Sequence, residues 1–194
     1  MDSYPNLGVR ETVNYTSKTP SLVASEATSL LWQQVFGDTK KASEFNQAWR
    51  TRDFDLGDVI TQFNCFHDSD LSTNAVTIVC RGQVRLLAFD AFLGKEVSIQ
   101  LLDANQIFGG DSAFCNPYGE YRAVASSKVM VLQISLHHLD VWLQDYPALF
   151  EYFSQITQSR QKLIFFKTLT ELRSQNTPNL QKILPYFIRT EISA

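Results

Sequence analysis

The chain has 194 residues, of which 44% are hydrophobic and 19% charged, with a formal net charge of −3 at pH 7. These values are typical of a globular protein long enough to bury a core, and they exclude an intrinsically disordered chain. The small negative charge provides no general attraction for nucleic acid or anionic lipid. The sequence has no signal-peptide pattern, no apolar stretch of about 20 residues, and three widely spaced cysteines. We therefore expect reduced thiols and a cytoplasmic location.

Two helical patterns and a long β pattern follow one another along the first two thirds of the chain. Residues 1–20 are polar and rich in turn formers, which predicts a flexible arm, and residues 21–49 have the apolar spacing of helices. Over residues 50–135 the apolar period changes to two, with glycines between the alternating runs. Many short strands at this spacing predict a small antiparallel barrel or sandwich. Residues 66–74 are polar and are predicted to form a lid or an ordinary surface loop.

Helical patterns return over residues 136–174, where Pro147 is well placed to begin a long helix. Apolar residues recur along this helix at roughly heptad spacing, and Ser159 and Arg160 interrupt them. Residues 175–194 contain a proline break and a further amphipathic piece, which predicts a tail or the lead-in to another domain. The apolar stripe of the long helix includes Tyr152, Ile156, Leu163 and Phe166.

One segment combines the features of a phosphate and sugar site. Gly109 and Gly110 allow a tight turn whose bare N–H groups can form a concave anion site. Arg122 lies on a predicted strand with a small-residue face, and its planar guanidinium matches phosphate oxygens. The carboxylate of Asp111 can accept hydrogen bonds from sugar hydroxyls. The candidate ligand-binding residues are Phe108, Gly109, Gly110, Asp111, Ser112, Ala113, Arg122 and Ala123.

This segment resembles the phosphate cassette of the cyclic nucleotide-binding domains of catabolite-activator and protein-kinase regulatory type. In that family, Phe-Gly-Glu is followed by a short helix, a loop, and an arginine with small residues after it. Here the sequence is Phe108-Gly109-Gly110-Asp111, followed later by Arg122-Ala123. The similarity covers roughly residues 45–165. It departs from the family at the sugar-binding glutamate, where this chain has Gly110, or Asp111 if one residue is inserted.

The resemblance implies an α+β fold that is mainly β: an antiparallel β-roll over residues 50–135, flanked by N-terminal helices and a long C-terminal helix. In the family this helix covers the ligand and pairs two subunits, which would place Tyr152, Ile156, Leu163 and Phe166 in a homodimer interface. The alternative is that the helix packs on its own barrel. A loose similarity to bacterial ABC exporters with an appended domain of this type suggests an N-terminal regulatory domain.

Motifs for catalysis and metal binding are absent from the sequence. It has no nucleophile elbow, Walker loop or Rossmann fingerprint, so we expect no enzyme. His67 is isolated, while His137 and His138 are adjacent and point apart on a helix, so we expect no metal site.

Two functional hypotheses remain open. The chain is either a sensor, which binds a cyclic nucleotide or a related phosphate ligand at the cassette and relays this through the C-terminal helix, or a degenerate barrel. The degenerate barrel would bind no nucleotide and would serve as a protein docking or dimerisation module. Too few residues follow Arg173 for a winged-helix domain, so we expect no DNA binding through this chain alone. We do expect a further domain or a partner protein.

Overall fold

The computed structural model describes residues 20–38, 40–63 and 75–187. The predicted arm, apart from residue 20, and the predicted loop at 66–74 lie outside the described residues. None of the helices within the described part of the chain has the length and apolar character needed to cross a membrane.

Helices occupy both ends of the described chain, as the apolar spacing predicts. Short 3₁₀ helices at Glu171–Ser174 and Leu184–Tyr186 follow the last two α-helices. The helices are α1 (Pro20–Phe36), α2 (Ala42–Gln47), α3 (Asp111–Phe114), α4 (Leu136–Asp145), α5 (Pro147–Leu169) and α6 (Thr177–Ile183).

Two four-stranded sheets form the middle of the chain. Their strand orders are β1-β8-β3-β6 and β2-β7-β4-β5, and every strand pair that the structure describes is antiparallel. The expected fold class, an antiparallel β-roll with flanking helices, is therefore confirmed. The strands are β1 (Arg50–Phe54), β2 (Val59–Phe63), β3 (Ala75–Arg81), β4 (Val84–Asp90), β5 (Lys95–Leu102), β6 (Ile107–Phe108), β7 (Tyr121–Ala125) and β8 (Val129–Ser135).

Helix α5 joins two hydrophobic cores. Its first half contributes Leu149 and Phe153 to a core between α1, α2, α4 and one sheet, where the three tryptophans also lie. Its second half contributes Leu163, Ile164 and Phe166 to the core inside the barrel. The long helix therefore lies on its own barrel along much of its length.

This packing corrects the predicted dimer stripe. Leu163 and Phe166 are only 2% and 4% exposed within the single chain, so they are not available to a second copy. An apolar stripe at heptad spacing predicts burial without specifying the partner, and here the partner is the barrel. Tyr152 and Ile156 are partly buried against the helical core. A homodimer through the remaining surface of α5 stays a prediction.

The segment after α5 returns to the same barrel. Leu180 of α6 and Leu184 belong to the barrel core, and the Thr177 hydroxyl donates a hydrogen bond to the Ile99 carbonyl at 2.6 Å. The described part of the predicted lead-in, up to residue 187, is thus packed against this domain.

Candidate functional site

The predicted cassette is a tight turn between β6 and α3. Gly109 and Gly110 have φ angles of +86° and +70°, which side-chain-bearing residues rarely adopt. A Cβ on Gly109 would lie 2.2 Å from the Ala75 carbonyl oxygen. A Cβ on Gly110 would lie 2.9 Å from a methyl of Val76. Both glycines are therefore required by contact with β3, whether or not a ligand binds.

Asp111 follows this turn, and its side chain is completely buried. One carboxylate oxygen, Oδ1, accepts hydrogen bonds from the Tyr121 hydroxyl at 2.8 Å and from the Arg160 guanidinium. The other, Oδ2, accepts a hydrogen bond from the Gln161 amide at 2.8 Å. The carboxylate predicted to hold sugar hydroxyls is thus satisfied by three side chains of this chain.

Arg160 projects from α5 into the same buried network and is only 3% exposed. Besides Asp111, it donates hydrogen bonds to the Ile107 carbonyl at 2.8 Å and to the Tyr121 hydroxyl at 3.2 Å. Burial alone would lower the pKa of Arg160, but the charges and hydrogen bonds of Asp111 and Tyr121 together outweigh this effect, and the pKa is raised. Burial raises the pKa of Tyr121, whose hydroxyl accepts a hydrogen bond from the Gly109 N–H at 2.9 Å. A charged, hydrogen-bonded pair therefore occupies the space beneath α5.

Gln161, next along α5, closes the other side of the network. Its side-chain oxygen accepts hydrogen bonds from the backbone N–H groups of Tyr118 and Gly119, at 2.8 and 3.2 Å. Gly119 also lies close to α5, since a Cβ there would be 3.0 Å from a methyl of Ile164. Two backbone donors of the kind that bind anions are thus bonded to a neutral carboxamide of the same chain.

Arg122 does not join this cluster. On β7, Tyr121, Ala123 and Ala125 are buried, so Arg122 and Val124 alternate to the opposite face. Its guanidinium forms two hydrogen bonds of 2.5 Å with the two oxygens of Glu96, on the barrel surface. The Glu96 hydrogen bond raises the pKa of Arg122, and the same bond lowers the pKa of Glu96. The expected convergence of Arg122 with the glycine turn is therefore wrong for this structure.

The remaining predicted ligand residues are divided between core and surface. Phe108 and Ala123 are fully buried in the barrel core, whereas Ser112 and Ala113 are exposed on α3. Among the predicted ligand residues, Asp111 and Gly109 take part in the buried network, since both form hydrogen bonds with the Tyr121 hydroxyl. Tyr121, Arg160 and Gln161 were not among the site residues predicted from the sequence. The available signal was the interruption of an apolar stripe, where Arg160 replaces a core residue.

Metal binding has no support in the described part of the chain, where no group of three histidine, cysteine or acidic residues lies close enough to hold an ion. The cysteines that the structure describes, Cys80 and Cys115, form no disulfide, and burial raises the pKa of Cys80 to about 11. A buried thiol with a raised pKa is an inert core residue.

Comparison with known proteins finds relatives by structure only. No protein-family model matches the chain, and no curated protein matches it by sequence. A putative transcriptional regulator of the crp/fnr family from Eubacterium rectale is similar, with a TM-score of 0.54 and 14% identity over 70% of this chain and 60% of that one.

Two further structures have the same fold. The catabolite activator protein of Thermus thermophilus gives a TM-score of 0.51 and 19% identity over 64% of this chain and 55% of that one. The regulatory subunit of a cAMP-independent protein kinase A from Trypanosoma brucei gives 0.52 and 17%, over 70% of this chain and 48% of that one. The chain spans about half the length of such structures. The fold is that of the cyclic nucleotide-binding domains, so the resemblance is confirmed at the level of the fold.

Proposed function

We propose that this chain is a non-enzymatic regulatory domain that acts through contact with another protein or domain, and that its cassette binds no nucleotide. The observation that carries the proposal is the buried network in which Asp111 is held by Tyr121, Arg160 and Gln161. This is the second of the two hypotheses from the sequence.

The buried guanidinium of Arg160 and the two backbone N–H donors beside Gln161 are already paired within the chain, so they do not offer themselves to a nucleotide phosphate. A bound phosphate needs cations and N–H donors that have no better partner. The Arg160 guanidinium is paired with Asp111, and the N–H groups of Tyr118 and Gly119 are bonded to Gln161. A phosphate would have to displace these partners and would lie near the buried carboxylate of Asp111, which repels it.

Movement of α5 alone would not bring Arg122 into the cassette. The side chains of a strand alternate between its faces, so Arg122 can turn inward only if β7 slips by one residue. Such a slip would move Tyr121, Ala123 and Ala125 out of the barrel core, where each is no more than 2% exposed. The cost of exposing these side chains favours the observed register.

The compared structures support separating the fold from cyclic AMP binding. The Trypanosoma brucei regulatory subunit is described as part of a cAMP-independent kinase, and a triple mutant of that subunit is described as bound to cAMP. We therefore base the proposal on the partners of Asp111 in this chain and not on the fold.

A sensor function is a second candidate, favoured by one observation. Both side chains that close the network, Arg160 and Gln161, are adjacent on α5. A displacement of this one helix would therefore free Asp111 and the N–H groups of Tyr118 and Gly119 together.

Calorimetric titration distinguishes the two candidates. We expect no saturable heat when the full chain is titrated with cyclic AMP, cyclic GMP or cyclic dinucleotides. The Gln161→Ala variant removes the closing carboxamide, and Gln158→Ala is its matched control, an exposed glutamine one turn earlier on α5. If cyclic nucleotide binding appears in the Gln161→Ala variant but not in the control, the sensor function is supported instead. Tight binding by the unmodified chain would overturn the proposal.

A further inference from the structure

A groove next to the Asp111 network runs along α5, and Arg160 and Ile107 belong to both. Its volume is about 630 Å³, which lies in the range of small-molecule sites. The walls come from α5, from β5 and the turn after it, from α1 through Gln34, and from the segment around Leu184. None of the eight ligand residues predicted from the sequence lines this groove.

Side-chain amides are the dominant polar groups of the groove. A carboxamide offers both a donor and an acceptor, the combination that a sugar or polyol hydroxyl requires. The oxygens of Gln34 and Gln106 already accept one hydrogen bond each, from the Tyr152 hydroxyl and the Asp103 N–H. Apolar side chains, including Leu102, Ile107 and Leu163, lie between the amides. The groove therefore suits a small ligand with hydroxyls around a compact carbon frame. The six carboxamide residues are Gln34, Gln100, Asn105, Gln106, Gln155 and Gln181.

The charge of the groove is positive. Among the described residues that line it, Arg160 and Lys162 are cationic and none is acidic. Arg160 is already paired with Asp111, so Lys162 is the cation left for a ligand. The Lys162 ammonium donates a hydrogen bond to the Phe187 carbonyl at 2.9 Å, which uses one of its three N–H donors. Because this carbonyl is neutral and the described residues lining the groove include no acid, Lys162 keeps its positive charge available to a ligand.

We propose that this groove binds a small polyhydroxylated anion, with its phosphate or carboxylate group at Lys162 and its hydroxyls among the carboxamides. The proposal does not depend on the state of the cassette, because Gln155, Gln106 and Lys162 take no part in the Asp111 network. The groove is thus a ligand site in addition to the cassette.

Three probes with the same pyranose ring test the proposal: glucose 6-phosphate, glucuronate and glucose, each titrated calorimetrically into the full chain. We expect saturable binding of at least one anion and binding of glucose that is at least about 10-fold weaker. The tighter of the two anions identifies the head group. Absence of saturable heat with both anions, or glucose binding as tightly as they do, would overturn the proposal.

Variants locate the bound probe. Lys162→Gln should weaken anion binding about 10-fold to 100-fold, because a charge-assisted hydrogen bond is lost. Lys162 also lines a neighbouring cavity of about 400 Å³, so a matched pair decides between the two. Gln155 lines only the larger groove and Gln158 only the smaller cavity, and both are exposed glutamines of α5.

We expect Gln155→Ala to weaken binding about 2-fold to 10-fold and Gln158→Ala to leave it unchanged. A larger effect of Gln158→Ala would place the anion in the smaller cavity and contradict the proposal. Because both side chains are exposed, circular dichroism should show both variants to be folded, and a binding loss then reports on the groove.

Discussion

Two arginine–carboxylate pairs each contain one residue of the predicted cassette, and they differ in burial and in geometry. The Asp111–Arg160 pair is buried, with 0% and 2% of the side chains exposed. The Glu96–Arg122 pair lies on the barrel surface, with 39% and 38% exposed. The surface pair has the better geometry, since two N–H donors of one guanidinium face two oxygens of one carboxylate. Geometry alone would therefore predict that the surface pair contributes more to stability than the buried pair.

The solvent exposure of the two pairs predicts the opposite order of their contributions to stability. Water solvates the surface pair when it is apart, so its formation gains little. The buried pair is almost fully shielded from water in this structure, so the loss of one partner leaves the charge of the other uncompensated. The Arg160 pair also connects α5 to the cassette turn through Ile107 and Tyr121. We therefore expect disruption of the buried pair to destabilise the fold and disruption of the surface pair to have little effect. The following experiments test this difference.

Arg160→Met should give the largest effect. It leaves the Asp111 carboxylate buried without its cation, and we expect a loss of about 3–5 kcal/mol in the free energy of unfolding. Urea-induced unfolding followed by circular dichroism measures this. Arg122→Met is the control, with the same change made on the surface. If both variants unfold at the same urea concentration, the contrast between the two pairs is wrong.

A double-mutant cycle sharpens the result. Asp111→Leu combined with Arg160→Met removes both charges, so the double variant should lose less stability than the sum of the two single variants, by about 1–3 kcal/mol. The cycle requires urea unfolding of all four proteins. Strict additivity would show that the two side chains do not depend on each other.

Gln161→Ala should cost about 1–3 kcal/mol, because it leaves two backbone N–H groups and one carboxylate oxygen without their partner. Hydrogen exchange of the Tyr118 and Gly119 amides should become faster in this variant. Gln158→Ala, an exposed change on the same helix, should leave both amides protected. Unchanged exchange in Gln161→Ala would mean that these N–H groups are held by other contacts.

Glu96→Gln should give the smallest effect, with a urea midpoint close to that of the unmodified chain and a difference that disappears at high salt. The hydrogen bond from Arg122 lowers the pKa of Glu96 in the folded state. The contribution of Glu96 is therefore present above the unfolded-state pKa of about 4.3 and is lost as the pH falls through the folded-state value. A large midpoint shift at pH 7 would contradict the assignment of this pair to the surface.

Much of the fold could be predicted from local patterns. The change of apolar period near residues 50 and 135 marks the ends of the barrel, and Pro147 begins α5 as expected. The positive φ angles of Gly109 and Gly110 agree with the predicted tight turn. These features follow from neighbouring residues, because strand alternation, helix periodicity and glycine conformation all act over a few positions.

The partners of Asp111 could not be predicted in this way. Arg122 is eleven residues away in the sequence, yet the alternation of β7 directs it to the surface. Arg160 is 49 residues away and reaches Asp111 because α5 crosses the barrel at that point. The sequence by itself determined that a glycine turn, an acid and an arginine belong to this domain. Only the tertiary structure decided which arginine is buried, because burial depends on which surfaces pack together across the whole chain.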